Sequence, residues 1–158
     1  MPLSAPSLPM EINGVTLVLV EDDLVDAEAI QRAFRNQKIA NPFIVFSDAV
    51  EALKALRGEP GAPEVPKPYI LLLDINMPRM NGLEFLRTLR TDPELRRSIV
   101  FVLTTSERDE DKLEAYGNHV AGYIVKNRAG EDFLKVIQML RAYWRIIEFP
   151  PGEEEASS

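Results

Sequence analysis

Residues Tyr69 to Leu73 are apolar without alternation, lie behind the prolines Pro66 and Pro68, and end at Asp74. So short a run, apolar at both alternating sets of positions, reads as a strand buried on both faces. Downstream, Pro78 breaks the extended pattern, Asn81-Gly82 is a turn signal, and Leu83, Leu86 and Leu89 recur at helical spacing. The sequence thus places one acid at a strand-to-helix junction, where open α/β sheets carry their sites.

The same pattern recurs along the chain. Val15 to Val20 is a second apolar, β-branched run, and Glu21-Asp22-Asp23 follows it. Phe43 to Phe46 comes after Pro42, Ile99 to Leu103 runs into Thr104-Thr105-Ser106, and Ala121 to Val125 is ended by Lys126. Helical spacing separates these runs: Ala27, Ile30 and Phe34, then Ala49, Leu53 and Leu56, then the Leu83 helix that Pro93 ends. A charged helix from about Glu107 to Tyr116 is weakly amphipathic through Leu113 and Tyr116.

The last helix, from about Gly130 to Ile147, has one apolar stripe of Phe133, Ile137, Leu140, Trp144 and Ile147. A second stripe, Val136, Met139, Tyr143 and Ile146, either widens the buried face or meets a partner. Gly58 to Pro68, with four prolines and two glycines, reads as an extended spacer, because the chain before it is too short to bury a core of its own. Five buried-type strands alternating with helices imply an α/β fold: a parallel sheet with helices on both faces.

With 158 residues, 46% of them hydrophobic, the composition suits one domain. Residues 1–12 read as a flexible arm, 13–147 as the domain and 148–158 as an acidic tail. The absence of cysteine excludes disulfides and thiolate metal sites, and a single His119, expected on the surface before the fifth strand, cannot build an imidazole cluster. This suits a reducing, cytoplasmic setting. The N-terminal residues have no basic segment followed by an apolar core, and no apolar stretch reaches the length of a membrane span. A net charge of −7 repels nucleic-acid backbones and anionic lipid, so a protein partner is expected rather than nucleic acid or membrane.

If their strands are neighbours, Glu21, Asp22 and Asp74 converge. Like charges about 4 Å apart repel by roughly 1 kcal/mol in water and about 4 kcal/mol at an effective dielectric of 20, so such a cluster needs a cation or shifted pKa values. All the ligand atoms are oxygens, which points to Mg²⁺ or Mn²⁺ with room left for phosphate oxygens. Any one of these acids could instead be solvated at a helix N-terminus, with Asp22 or Asp23 as the cap. Acids on two strand ends, Thr104 on a third and Lys126 on a fourth make better sense as a phosphoryl-transfer site: a carboxylate nucleophile, a metal, a hydroxyl and an ammonium. No second acid or base is poised for turnover, which suits a site that receives a phosphoryl group and holds it.

These segments, VEDD at Val20 to Asp23, DINMPRMNG at Asp74 to Gly82, LTTS at Leu103 to Ser106 and GYIVK at Gly122 to Lys126, resemble in order and spacing a response-regulator receiver domain of the single-domain chemotaxis type. The resemblance covers about Val15 to Leu140. It implies a flavodoxin-like, doubly wound five-stranded sheet of order 2-1-3-4-5. It also implies phosphorylation of Asp74 by a histidine kinase and Mg²⁺ held by Glu21, Asp22, Asp74 and the backbone carbonyl of Asn76. By the same resemblance Thr104 and Lys126 bind the phosphoryl group, Tyr123 switches rotamer with Thr104, and Asn76 and Ser106 tune hydrolysis of the acyl phosphate. No output domain is expected after the last helix. The Pro-rich insertion, the long last helix and the aromatic C-terminus resemble regulators that partner phytochrome-type histidine kinases, with homodimers formed through the last helix and fifth strand.

The family's lysine is usually followed by a cis proline, but here Asn127 follows Lys126. A cis bond before a non-proline residue costs about 3–4 kcal/mol, so a trans bond is expected there. Three rivals stand beside this assignment. An aspartyl-phosphate phosphohydrolase of the haloacid dehalogenase class needs a second acid where this chain has Asn76. A nucleotide- or flavin-binding module wants glycines and amides after the first strand, not Glu21-Asp22-Asp23. A phosphorylation-independent pseudo-receiver leaves the acid, hydroxyl and lysine set without a purpose.

Overall fold

The computed structural model describes residues 14–75, 77, 80–104, 117, 119–126 and 129–143, with the side chains of 136, 137 and 139–143 excepted. The apolar runs form strands β1 (Thr16–Val20), β2 (Phe43–Phe46), β3 (Tyr69–Asp74), β4 (Ile99–Thr104) and β5 (Gly122–Val125). Helices α1 (Leu24–Asn36), α2 (Ala49–Leu56), α3 (Gly82–Thr91) and α4 (Ala129–Tyr143) lie between or after them. All strand pairs are parallel and the order is β2-β1-β3-β4-β5, the flavodoxin-like arrangement implied by the resemblance.

Alternate residues of each strand feed two separate cores, which is why the strands show no hydrophobic alternation. Leu17, Leu19, Ile70, Leu72, Leu103 and Ile124 pack on one face against Ala27, Ile30 and Phe34 of α1 and Ala129 and Phe133 of α4. Val18, Val20, Leu71, Leu73, Val100 and Val102 pack on the other against α2 and α3. Phe34 and Phe133 stack at a 5.1 Å centroid separation, joining α1 to α4. Beside them Gly130 meets the Ala33 backbone so closely that a Cβ would stand 2.4 Å from its carbonyl oxygen.

Local signals set the helix ends. The Asp23 carboxylate accepts from the amides of Val25 at 2.9 Å and Asp26 at 3.1 Å, so it is Asp23 rather than Asp22 that caps α1. Asn81 and Glu84 form a reciprocal capping box at the start of α3. That start turns Phe85, Leu86 and Leu89 into the core while Leu83 is only half-buried, so Phe85 joins the apolar face that the leucine spacing alone suggests. The Pro-rich segment is more than a spacer, since Ala62 and Val65 pack against the α2–α3 core.

At the amino end of the sheet the guanidinium of Arg90 donates to the carbonyls of Arg96, Ser98 and His119 at 2.8, 2.7 and 2.7 Å. It ties α3 to the start of β4 and to the turn before β5, where His119 is exposed as expected. Among the described residues no helix is long and apolar enough to cross a membrane. The expected N-terminal arm, the helix over 107–116, the end of the last helix with Trp144, Ile146 and Ile147, and the acidic tail lie outside the described residues.

Candidate functional site

Register and alternation build the site at the carboxyl ends of the strands. Val20 pairs with Leu73, so the next residues, Glu21 and Asp74, stand side by side. Leu19, Leu72 and Ile124 face the α1–α4 core, and Glu21, Asp74 and Lys126 each follow one of them by two residues. All three side chains therefore emerge on the same side of the sheet edge. Thr104 follows Val102, and Tyr123 pairs with Val102, so both belong to the α2–α3 side. Thr104 is buried at the end of β4, and Tyr123 is half-buried against that core.

The acids converge as the sequence implies. Glu21, Asp22 and Asp74 each offer a carboxylate oxygen, and those atoms lie within 4.8 Å of one another. Glu21 has no solvent exposure and Asp74 only 2%. Lys126 Nζ lies 2.6 Å from Glu21 Oε1, 2.9 Å from Asp26 Oδ2 and 3.4 Å from Asp74 Oδ1. Burial, then the neighbouring Asp74, pushes the Glu21 carboxyl up from its usual 4.5 to about 8, with Lys126 pulling the other way. Although burial alone disfavours an ammonium, the surrounding carboxylates hold Lys126 above its ordinary value.

The donor set fits a hard divalent cation. Glu21 Oε2 accepts weakly from the Asp23 amide at 3.3 Å, while the buried Oε1, despite its contact with Lys126, has no hydrogen bond of good geometry among the described residues. A buried oxygen left so, beside two further carboxylates, is a coordination position that Mg²⁺ or Mn²⁺ would complete.

The glycine that follows Asn81 sets the start of α3 against the chain at Asp74 and Ile75. A Cβ on Gly82 would lie 2.5 Å from Ile75 Cα and 2.6 Å from the Asp74 carbonyl oxygen, and the Gly82 amide donates to the Ile75 carbonyl at 3.1 Å. Asn76, Ser106 and the Lys126–Asn127 bond, each given a part by the sequence, lie outside the described residues.

Asp26 escaped the sequence analysis. In the first turn of α1 it reads as a carboxylate that favours the helix dipole, and only the fold brings it to a lysine a hundred positions away.

A parallel sheet of this order with an acidic carboxyl-end site defines the class to which receivers belong. The response regulator receiver domain model matches residues 17–138, and the chain belongs to that family. It is 32% identical over 128 residues to response regulator Rcp1 of Synechocystis sp., covering 81% of this chain and 87% of that protein. The structure of Rcp1 in a Mn²⁺-bound form superposes with a TM-score of 0.66 at 31% identity, covering 86% of this chain and 99% of that one. The phosphorylated cyanobacterial phytochrome response regulator RcpA superposes with a TM-score of 0.68 at 31% identity, covering 86% and 98%.

Proposed function

We propose that this chain is a cytoplasmic two-component response regulator whose receiver unit, residues 13–147, accepts a phosphoryl group on Asp74 from a histidine kinase and thereby changes its affinity for a partner. One observation carries this most: three carboxylate oxygens, one of them on Asp74, lie within 4.8 Å of one another beside the Lys126 ammonium. The phosphorylated state of RcpA and the Mn²⁺-bound state of Rcp1 support it, and the phytochrome relationship of RcpA supports a phytochrome-type kinase as donor.

An oxygen of Asp74 forms a bond to phosphorus as the P–N bond of the donor phosphohistidine breaks. The bonding pair leaves with the imidazole nitrogen, which then takes up a proton. Glu21, Asp22 and Asp74, with the Asn76 carbonyl, would hold Mg²⁺ or Mn²⁺, and the bound ion would neutralise charge on the transferring oxygens. Lys126, already 3.4 Å from Asp74 Oδ1, offsets the charge that arrives there. Thr104 would bind another phosphoryl oxygen, and Tyr123, half-buried on the same side of the sheet, would follow it as the switch. Asn76 and Ser106 would tune the lifetime of the acyl phosphate. The chain assists only its own phosphorylation and dephosphorylation. A homodimer through the last helix and β5 belongs to the same proposal. Light scattering at high concentration tests it, and monomers both with and without a phosphate mimic would overturn it.

Acetyl phosphate and Mg²⁺ are expected to add one phosphate by intact mass, and chelation of the metal to prevent it. Absence of any gain at high donor concentration would contradict the proposal.

Metal binding should also depend on pH. The raised Glu21 value means that the fold prefers the protonated carboxyl, so its contribution to stability is full below about pH 4.5 and is lost as pH rises through about 8. Over that whole range the loss is on the order of 5 kcal/mol for the metal-free chain. A divalent ion needs the carboxylate and displaces the proton. Mg²⁺ affinity is therefore expected to rise by up to about tenfold per pH unit between pH 6 and 8 and to level off above. Calorimetry showing a flat affinity across that window would refute the coupling.

A further inference from the structure

Of the three carboxylates around Lys126 among the described residues, two are buried and one is not: the side chains of Glu21 and Asp74 are 0% and 3% exposed, that of Asp26 is 40% exposed. The shortest hydrogen bond with good geometry that Lys126 makes is to Asp26, at 2.9 Å. Asp26 stands on the first turn of α1, whose cap is Asp23, and so holds the ammonium against the start of that helix while it lies 3.4 Å from Asp74 Oδ1. We propose that Asp26 is a positioning residue that holds Lys126 in the resting state and yields it to the phosphoryl group when Asp74 is modified. The inference rests on the phosphoacceptor function proposed above.

The three partners differ in how readily they can let go. Glu21 is sealed from water, and the divalent ion that phosphorylation requires would take over its carboxylate. Asp26 regains hydration as soon as Lys126 turns away, because its carboxylate already reaches solvent, and ion pairs of that kind are weak. On phosphorylation the Asp74 carboxylate becomes an acyl phosphate carrying close to two negative charges on its outer oxygens, a stronger attraction for the ammonium than one exposed carboxylate. Among the described residues Asp26 is thus the partner of Lys126 that neither belongs to the metal cluster nor accepts the phosphoryl group, and it is the one that gives the ammonium up. The exchange loosens a link between the end of β5 and the start of α1, two elements that otherwise meet through the α1–α4 core.

The test combines kinetics with the ammonium itself. Asp26→Asn is expected to accept phosphate from acetyl phosphate, with Mg²⁺, about two- to fivefold faster than wild type, the scale of a partly exposed ion pair. Asp26→Glu should restore the wild-type rate. In a Lys126→Gln background the Asp26→Asn change should have no effect, since the two residues act as one pair. The Nζ resonance of Lys126 should differ between wild type and Asp26→Asn in the resting protein and coincide when both carry beryllofluoride. This reading needs only the two variants that keep the lysine. Equal rates, an unchanged acceleration in the Lys126→Gln background, or resonances that differ as much with beryllofluoride as without it would each overturn the proposal. A wild-type chain that gains no phosphate would overturn the function first, and this inference with it.

Discussion

Lys126→Met is expected to lower stability by about 3 kcal/mol at pH 8.5 and by much less at pH 5.5, measured by urea denaturation without metal. Removing one partner of a buried ion pair typically costs about 3–5 kcal/mol, because a buried charge is left uncompensated. Here the pair includes Glu21, which has no solvent exposure and loses a counter-ion 2.6 Å away. The pH dependence follows from the raised Glu21 value. Its protonated form is preferred below about 8, and removal of Lys126 takes away the contact that opposes protonation. At pH 5.5 the Glu21 carboxyl therefore keeps its proton, and the share of the loss that comes from Glu21 disappears. At pH 8.5 the wild-type carboxylate is ionised against the ammonium, and the variant must either bury it unpaired or bind a proton from dilute solution. An equal loss at both values would contradict the part given to Glu21 protonation. Saturating Mg²⁺ should recover much of the loss at pH 8.5, since the ion supplies the missing positive charge.

Gly82→Ala should have the larger effect on activity. The added methyl meets the backbone of the Asp74–Ile75 stretch, at 2.5 Å from Ile75 Cα and 2.6 Å from the Asp74 carbonyl oxygen, and neither atom can rotate out of the way. Overpacking of this kind costs roughly 1–3 kcal/mol. The strain is relieved by moving the chain at Asp74 and Ile75 apart from the start of α3, which shifts the backbone that carries the phosphoacceptor. Misplacing a reacting group by about 1 Å can slow a positioned reaction by on the order of 100-fold. The variant is therefore expected to stay folded, with its stability lowered by about 2 kcal/mol, and to accept phosphate from acetyl phosphate at least tenfold more slowly. A wild-type rate in a destabilised variant would separate the loop from the chemistry and contradict this account of Gly82. Its φ is not in the left-handed region, so the requirement is for space rather than for backbone freedom.

Much of this architecture is legible in the sequence, for a physical reason. Strands buried on both faces need uninterrupted apolar runs, and VTLVLV, YILLLD and IVFVL offer few alternatives. The convergence of Glu21, Asp22, Asp74 and Lys126 also follows from the pattern, because a parallel sheet carries all its strand ends to one edge. What stays hidden depends on neighbours distant in sequence. Asp26 looks like any first-turn acid until β5 delivers Lys126 to it. Phe85 is overlooked because the leucine spacing suggests a face slightly rotated from the one that the Asn81 cap establishes. Ala62 and Val65 sit in a proline-rich loop whose composition gives no hint of the core beneath. Gly82 is visible as a turn residue, but the reason that it admits no side chain is a backbone approach that only the fold creates.

The central claim is that the carboxylate of Asp74 itself becomes an acyl phosphate. Treating the phosphorylated protein with borohydride reduces an aspartyl phosphate to homoserine, and peptide mass mapping then reports the position directly. Homoserine at position 74, with Asp74→Asn taking up no phosphate, is the expected result. Homoserine at position 22, or a phosphate that persists in Asp74→Asn, would contradict it.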